Sequence, residues 1–280
     1  MKGKVVVITG ATSGIGEVAA QRLAAMGARI VLVARDAARG QKSLARLVNS
    51  GAGVAHSIHF GDLSRISETK RVAAEIAAAE PRIDVLINNA GALFGTRQFT
   101  ADNLEQTFAT NHMAYFVLTL GLRKSLFAAS PARVVSTASD AHKGYTLDFD
   151  DLQAMKGYSA IGAYGRSKLC NILFTRELAR RWSGNGVTAN CLHPGFVATR
   201  FGDGSGRLLS RVVRVAKIFA ISPEKGAETI VHLASSPHVG ALSGEYFHKC
   251  RPATPTAAAR DDVAAKRLWM ESAEIAGIES

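Results

Sequence analysis

Apolar, β-branched runs recur along the chain near residues 4–9, 29–34, 54–60, 83–88, 133–138, 186–192 and 243–247, with Ala- and Leu-rich helical stretches between them. Strands alternating with helices predict a parallel sheet covered on both faces. Right-handed crossovers make such a sheet doubly wound. The expectation is an α/β fold with a seven-stranded parallel sheet, formed as one unit over residues 1–280. Ligands of doubly wound sheets sit beyond the carboxyl ends of the strands. Gly10, Asn89 to Gly91, Ser139 and Pro194-Gly195 all fall where an apolar run stops.

The first run, Lys4 to Ile8, leads into Thr9-Gly10-Ala11-Thr12-Ser13-Gly14-Ile15-Gly16, and a helical stretch over Glu17 to Met26 follows. Strand, glycine turn and helix are the context a dinucleotide site requires. The glycines let backbone approach a pyrophosphate, and the helix N-terminus presents N–H groups and a positive dipole end. The spacing here is Gly-x-x-x-Gly-x-Gly. Further along, Tyr164-Gly165-Arg166-Ser167-Lys168 reads Tyr-x-x-x-Lys. Residues four apart share a helix face. A phenol titrates near pH ~10, and a cation held beside it favours the phenolate. Such a pair can give a proton to, or take one from, a carbonyl/alcohol couple.

Composition narrows the setting. Hydrophobic residues make up 47% of the 280, enough for a sizeable core, and no Pro/Gly/Ser-rich linker or repeat divides the chain. No apolar run approaches the ~20 residues of a membrane span. The chain starts directly on a strand, which leaves no room for a signal peptide. Cys170, Cys191 and Cys250 lie far apart with no Cys-x-x-Cys, so a cytoplasmic location is expected, without a disulfide framework or zinc site. His56, His59 and His193 read as structural. The formal charge of +11 suggests anionic partners. No nucleic-acid-binding pattern accompanies it, so a phosphate-rich cofactor is the simpler account.

These motifs together resemble the short-chain dehydrogenase/reductase family in its single-domain form. The matching segments are Thr9-Gly10 to Gly16, Asp62-Leu63, Asn88-Asn89-Ala90-Gly91, Asn111, Ser139, Tyr164/Lys168 and Pro194 to Thr199, in the family's order. Three further segments are similar to its retinol dehydrogenase-like branch: Asn171 to Leu178, Leu192 to Gly195 and Leu242 to Phe247. The resemblance implies a Rossmann-type fold and a hydride-transfer oxidoreductase working on the carbonyl or alcohol of a small apolar substrate.

Roles follow by the same resemblance. Tyr164 exchanges the proton, and Lys168 lowers the Tyr164 pKa and binds the nicotinamide ribose. Ser139 holds the substrate oxygen, with Ser136 as its rival. Asn111 positions a water linked to Lys168. Gly10, Ser13, Gly14, Ile15 and Gly16 cradle the pyrophosphate, Asp62 and Leu63 flank the adenine, and Asn89, Ala90 and Gly91 line the cleft. Pro194, Val197 and Thr199 fix the nicotinamide amide. At the end of the second strand Ala34 carries no carboxylate to repel a 2′-phosphate, and Arg35 can bind that phosphate bidentately. NADP(H) is therefore favoured, with NAD(H) the alternative if Asp36 serves the ribose.

Residues 202–221 occupy the place of a substrate lid, hinged by Gly202, Gly204 and Gly206. Arg207, Arg211 and Arg214 recur beside a stripe of Leu208, Val212, Val215 and Phe219. A basic amphipathic helix can also lie on an anionic membrane. The lid is preferred, because one short helix without a lipid anchor attaches weakly. Leu147 to Ser159 reads as an inserted lip of the pocket, and His142 as a solvated or capping residue that could touch substrate. Leu169, Ile172, Leu173 and Arg176 on the tyrosine-bearing helix could serve a homo-oligomer or the core. The competing reading is a non-catalytic dinucleotide sensor, against which stand Asn111, Ser139, Tyr164 and Lys168.

Overall fold

A computed structural model describes residues 1–50, 53–196 and 221–279. Eight strands form one sheet: β1 Val5–Thr9, β2 Arg29–Ala34, β3 Ser57–Phe60, β4 Val85–Asn88, β5 Ala132–Thr137, β6 Val187–His193, β7 Tyr246–His248 and β8 Arg251–Ala253. Their spatial order is β3-β2-β1-β4-β5-β6-β7-β8. The chain crosses from β3 over β1 to β4, so the sheet is doubly wound with its switch point between β1 and β4.

The expected seven-stranded, wholly parallel sheet needs one correction. β8 pairs antiparallel to β7 and makes an eighth strand. Only Lys249 and Cys250 separate the two, with φ of 51° and 61°. Positive φ at both central residues is the turn whose twist suits a two-residue hairpin. Lys-Cys carries none of the Asn-Gly chemistry that announces such a turn. Pro252 in β8 lacks an amide hydrogen and is tolerated because the strand lies at the sheet's edge.

Among the described residues the α-helices are α1 Gly14–Ala25, α2 Ala37–Ser50, α3 Ile66–Ala79, α4 Gln106–Phe108, α5 Ala114–Gly121, α6 Arg123–Ala129, α7 Ala160–Arg181, α8 Pro223–Ser235 and α9 Asp262–Ala276. Strand residues alternate faces, and the alternation builds two cores. Val6, Ile8, Ile30 and Leu32 pack with α1, α2 and α8. Val7, Val31 and Val33 pack on the other face, in the core formed with α3, α5, α7 and α9. Leu169, Ile172 and Leu173 of α7 are buried in this second core. Phe116, Phe174 and Trp269 interlock there, at ring centroid distances of 5.0 to 5.9 Å. Arg176 reaches Asp262 of α9 at 2.8 Å. The apolar stripe on α7 is thus covered by the chain's own C-terminal helix.

Between α4 and α5, Ala109–Met113 forms a π-helical turn. His112 from this turn is fully buried, and its Nε2 lies 2.8 Å from Ser272 Oγ. Burial pushes its pKa down from 6.5 to about 3. A folded-state pKa below the unfolded one means that the unfolded chain binds the extra proton. The neutral ring's contribution is therefore whole above about pH 6.5, and it is lost as pH falls from there toward about 3, at most ~1.4 kcal/mol per pH unit. Urea unfolding at pH 7 and pH 5 should show a smaller acid loss for His112→Gln than for the natural chain. An equal loss in both would show that His112 does not set it.

Candidate active site

The carboxyl ends of β1, β4 and β5 are tied together by one asparagine and two threonines. Thr9 Oγ1 accepts the N–H groups of Asn89 and Ala90 at 3.0 and 2.9 Å. Asn89 Nδ2 donates to Thr9 O and Gly10 O, and Thr137 Oγ1 donates to Asn89 Oδ1. The packing leaves no room for side chains at two glycines. A Cβ on Gly10 would lie 2.7 Å from Ala90 Cα, and one on Gly16 would collide with Asn89 Nδ2 and lie 2.5 Å from Gly10 O. Gly10 also holds φ at +68°, a region that favours glycine. Ser13, the exposed N-cap of α1, makes no side-chain capping bond. Ile15 packs against the first core, which holds the helix start in place.

A phosphate group suits this place. The first N–H groups of α1 have no intrahelical acceptor, and the glycines at 10 and 16 let the turn close tightly on Asn89 and Ala90 so that the start of α1 sits at the end of β1. At the tip of β2, Ala34 is buried and Arg35 is exposed. Asp36 is otherwise engaged: its Oδ1 accepts Arg39 N–H at 2.8 Å, and the Arg39 guanidinium lies 3.4 Å from its Oδ2. These contacts hold the Asp36 carboxyl below its usual range, led by the Arg39 amide. Asp62 closes its own turn by accepting Ser64 N and Oγ, and Leu63 packs against the second core.

The candidate reacting groups come from α7 and the end of β5. Ser159 caps α7 by accepting Gly162 N–H. One turn on, Tyr164 and Lys168 share a face, with Lys168 Nζ 5.5 Å from the Tyr164 ring centre. Lys168 is buried and donates to Thr137 O at 2.9 Å. Burial brings its pKa down to about 7. Tyr164 moves the other way: burial raises its pKa to about 12, against a smaller lowering by its hydrogen bond with Ser139. Desolvation in this enclosed site disfavours both charges and so works against the lowering of the Tyr164 pKa expected from Lys168.

Ser139 thus meets Tyr164, whereas its rival Ser136 lies buried in mid-sheet, paired with Asn88 and Cys191 of the neighbouring strands. Gly91 opens beside the pair. A Cβ there would sit 3.5 Å from Lys168 Nζ and 3.3 Å from Asn111 Oδ1. Asn111 lies in the π turn, a distortion frequent at functional sites. Both of its amide hydrogens are committed, to Ala92 O and Ser167 Oγ at 2.9 Å each, and its Oδ1 accepts Ala92 N–H. Ser167 Oγ in turn donates to Tyr164 O. Asn111 therefore clamps the Gly91 loop to α7, and its amide hydrogens have none left for a water.

Pro194 and Gly195 follow β6, and Gly195 holds φ at +92° with Ile221 close against it. Val197, Thr199 and residues 202–220 of the expected lid lie outside the described residues. The lip is firmly attached. Tyr158 donates to Phe94 O, Arg97 to Ala154 O and Met155 O, and Glu105 N to Gln153 Oε1. Tyr145 lies so close to α7 that a Cβ on Gly165 would be 2.5 Å from its Cδ2. His142 is not solvated as expected. It is fully buried behind Ser139, because its ring packs edge-on against Tyr246 and both its nitrogens face backbone groups. Thr9, Thr137 and Ser167 were not singled out from sequence. Their one signal is position, at the last residues of β1 and β5 and inside the Tyr-x-x-x-Lys segment.

Comparison with known proteins agrees with this geometry. The model of the short chain dehydrogenase family matches residues 4–207. Retinol dehydrogenase 12 from Mus musculus is 39% identical over 277 residues, covering 99% of this chain and 87% of that protein. A protein of known structure from Mycobacterium paratuberculosis superposes with a TM-score of 0.78 at 28% identity, covering 99% of this chain and 95% of the other. The structure of actinorhodin polyketide ketoreductase with NADPH gives a TM-score of 0.68 at 25% identity, over 87% of this chain and 94% of that one. The chain belongs to the short-chain dehydrogenase/reductase family, in its retinol dehydrogenase-like branch. It is an oxidoreductase acting on alcohol and carbonyl groups.

Proposed function

We propose that the protein is an NADP(H)-dependent oxidoreductase interconverting the alcohol and carbonyl forms of an apolar, retinoid-like substrate. The observation that carries this reading is the meeting of Tyr164, Ser139 and Lys168 beside the bare backbone of Gly91. A bound nicotinamide would supply or accept the hydride at the substrate carbon. Tyr164 and Ser139 hold the substrate oxygen between two hydroxyls. During reduction the Tyr164 O–H bond breaks and its proton goes to that oxygen; during oxidation it returns. Lys168, close to neutral pH in its titration, stabilises the phenolate as the ammonium. The α1 N-terminus with Gly10, Ser13, Gly14 and Gly16 would hold the pyrophosphate. The apolar residues of the lip and of the expected lid segment favour a retinoid, steroid or longer-chain aldehyde.

Two features support NADP(H). Arg35 is exposed at the tip of β2, and Asp36 is engaged in capping α2 instead of facing a ribose. The solved ketoreductase holds NADPH. A panel of apolar carbonyls with NADPH oxidation as the readout tests the activity, and no turnover across retinoids, steroids and long aldehydes would overturn it. Arg35→Asp should lower the NADPH/NADH ratio of kcat/KM by about 10- to 100-fold, since a charge-assisted bidentate contact is worth ~1.5–3 kcal/mol. An unchanged ratio would remove Arg35 from the 2′-phosphate site.

A further inference from the structure

A hydrogen-bonded polar cluster not used by the chemistry lies directly behind Ser139. His142 closes the short 3-10 turn Asp140–His142 that follows β5. Its Nδ1 lies 2.7 Å from Ser139 O, and its Nε2 lies 3.3 Å from Thr256 N. A carbonyl only accepts and an amide N–H only donates. The ring is therefore neutral, with hydrogen on Nδ1 and a bare Nε2. Each nitrogen is matched to one backbone group. Thr256 sits on the strap between β8 and α9, 114 positions away. The strap is anchored in turn by Ala259, which is fully buried.

The rest of the turn is held from other sides. Asp140 Oδ1 accepts the Tyr246 hydroxyl of β7 at 2.7 Å, and its Oδ2 accepts Lys143 Nζ at 2.8 Å. Asp140 N donates to His193 Nδ1 at the end of β6, at 3.2 Å. Ser139 Oγ accepts Ala141 N–H from the same turn. A serine hydroxyl hangs one torsion from the main chain, and with that torsion held by the Ala141 N–H its place is set by the backbone that carries it. Here the Ser139 carbonyl accepts the His142 backbone N–H at 3.2 Å as well as the His142 imidazole, and of the two only the imidazole carries on to the Thr256 strap.

We propose that His142 is a positioning residue: its imidazole joins the Ser139 carbonyl to the Thr256 amide and so aims the Ser139 hydroxyl at the substrate oxygen. This rests on the reading of Ser139 as the substrate-oxygen ligand. Asparagine reaches only the Ser139 carbonyl and glutamine only the Thr256 amide, so each variant breaks one arm of the link while staying polar. His142→Asn and His142→Gln should each lower kcat roughly 10- to 100-fold, the scale of a misplaced reacting group, with KM for NADPH unchanged. In a Ser139→Ala background, the same changes should cost less than about 2-fold, because coupled residues are non-additive. Product accumulation over long incubations reads the slow variants, and NADPH fluorescence with thermal melting reports folding for each. Equal losses in both backgrounds, or unchanged kcat in both folded variants, would overturn the proposal. Should one variant fail to fold, the other carries the cycle alone. A natural chain without turnover on any carbonyl would instead refute the proposed function, which the natural-chain control reads separately.

Discussion

Tyr164→Phe should abolish nearly all turnover, by about 10²- to 10⁴-fold, the range that a positioned proton donor contributes. The change deletes one oxygen and keeps the ring, so the packing at the start of α7 survives. NADPH affinity should stay within about 3-fold by fluorescence titration, because the phosphate cradle is on α1 and Lys168 remains tied to Thr137 O. Phenylalanine cannot give or take the proton, and the other phenol beside Lys168, Tyr115, is buried with its pKa pushed up by that burial. Ser139 remains, yet a lone serine has no cation beside it to accept the resulting charge. Turnover within 10-fold of the natural chain would require a different proton donor.

Gly16→Val should have the second largest effect, through binding instead of chemistry. Even the first carbon of the side chain collides with Asn89 Nδ2 and crowds Gly10 O. Either the α1 terminus moves off the β1 end or Asn89 gives up its bonds to Thr9 O and Gly10 O. Both displace the N–H groups proposed to meet the pyrophosphate. NADPH affinity should fall by about 100-fold or more, equivalent to ~2.7 kcal/mol or more. Far-UV circular dichroism should still report a folded α/β chain, since the substitution lies at the first turn of one helix. Unaltered NADPH binding would show that the ligand does not lie across this turn.

Much of this was legible in the sequence because the informative segments are strongly patterned. β1 and β2 carry continuous apolar runs, as strands buried in a parallel sheet do. Gly10, Gly14 and Gly16 announced themselves because crowding and positive φ admit nothing larger. Tyr164 and Lys168 were visible because helical spacing alone puts them on one face. Other parts depend on contacts between distant segments. β8 is three residues long, with a proline and an unmarked turn, so neither periodicity nor turn chemistry could reveal it. His142 looked like a loop histidine, because nothing near it in the chain shows that Thr256 lies against its ring. Asp36 was weighed as a ribose ligand, and only its bond to Arg39 N–H shows that it caps a helix. The titration of Tyr164 and Lys168 escaped sequence reasoning for a related reason: spacing fixes who stands beside whom, whereas the degree of enclosure decides which charge survives.

Asn89 spans the two halves of the site, touching the glycine turn through its nitrogen and Thr137 through its oxygen. It acts as a gauge block set between them. The interval from phosphate cradle to proton donor is therefore cut to length before any coenzyme arrives. A preset interval spares the ligand the entropic work of ordering the walls around it. A coenzyme with a different reach is then expected to bind more weakly, since β1, β4 and β5 are tied to one another at this end.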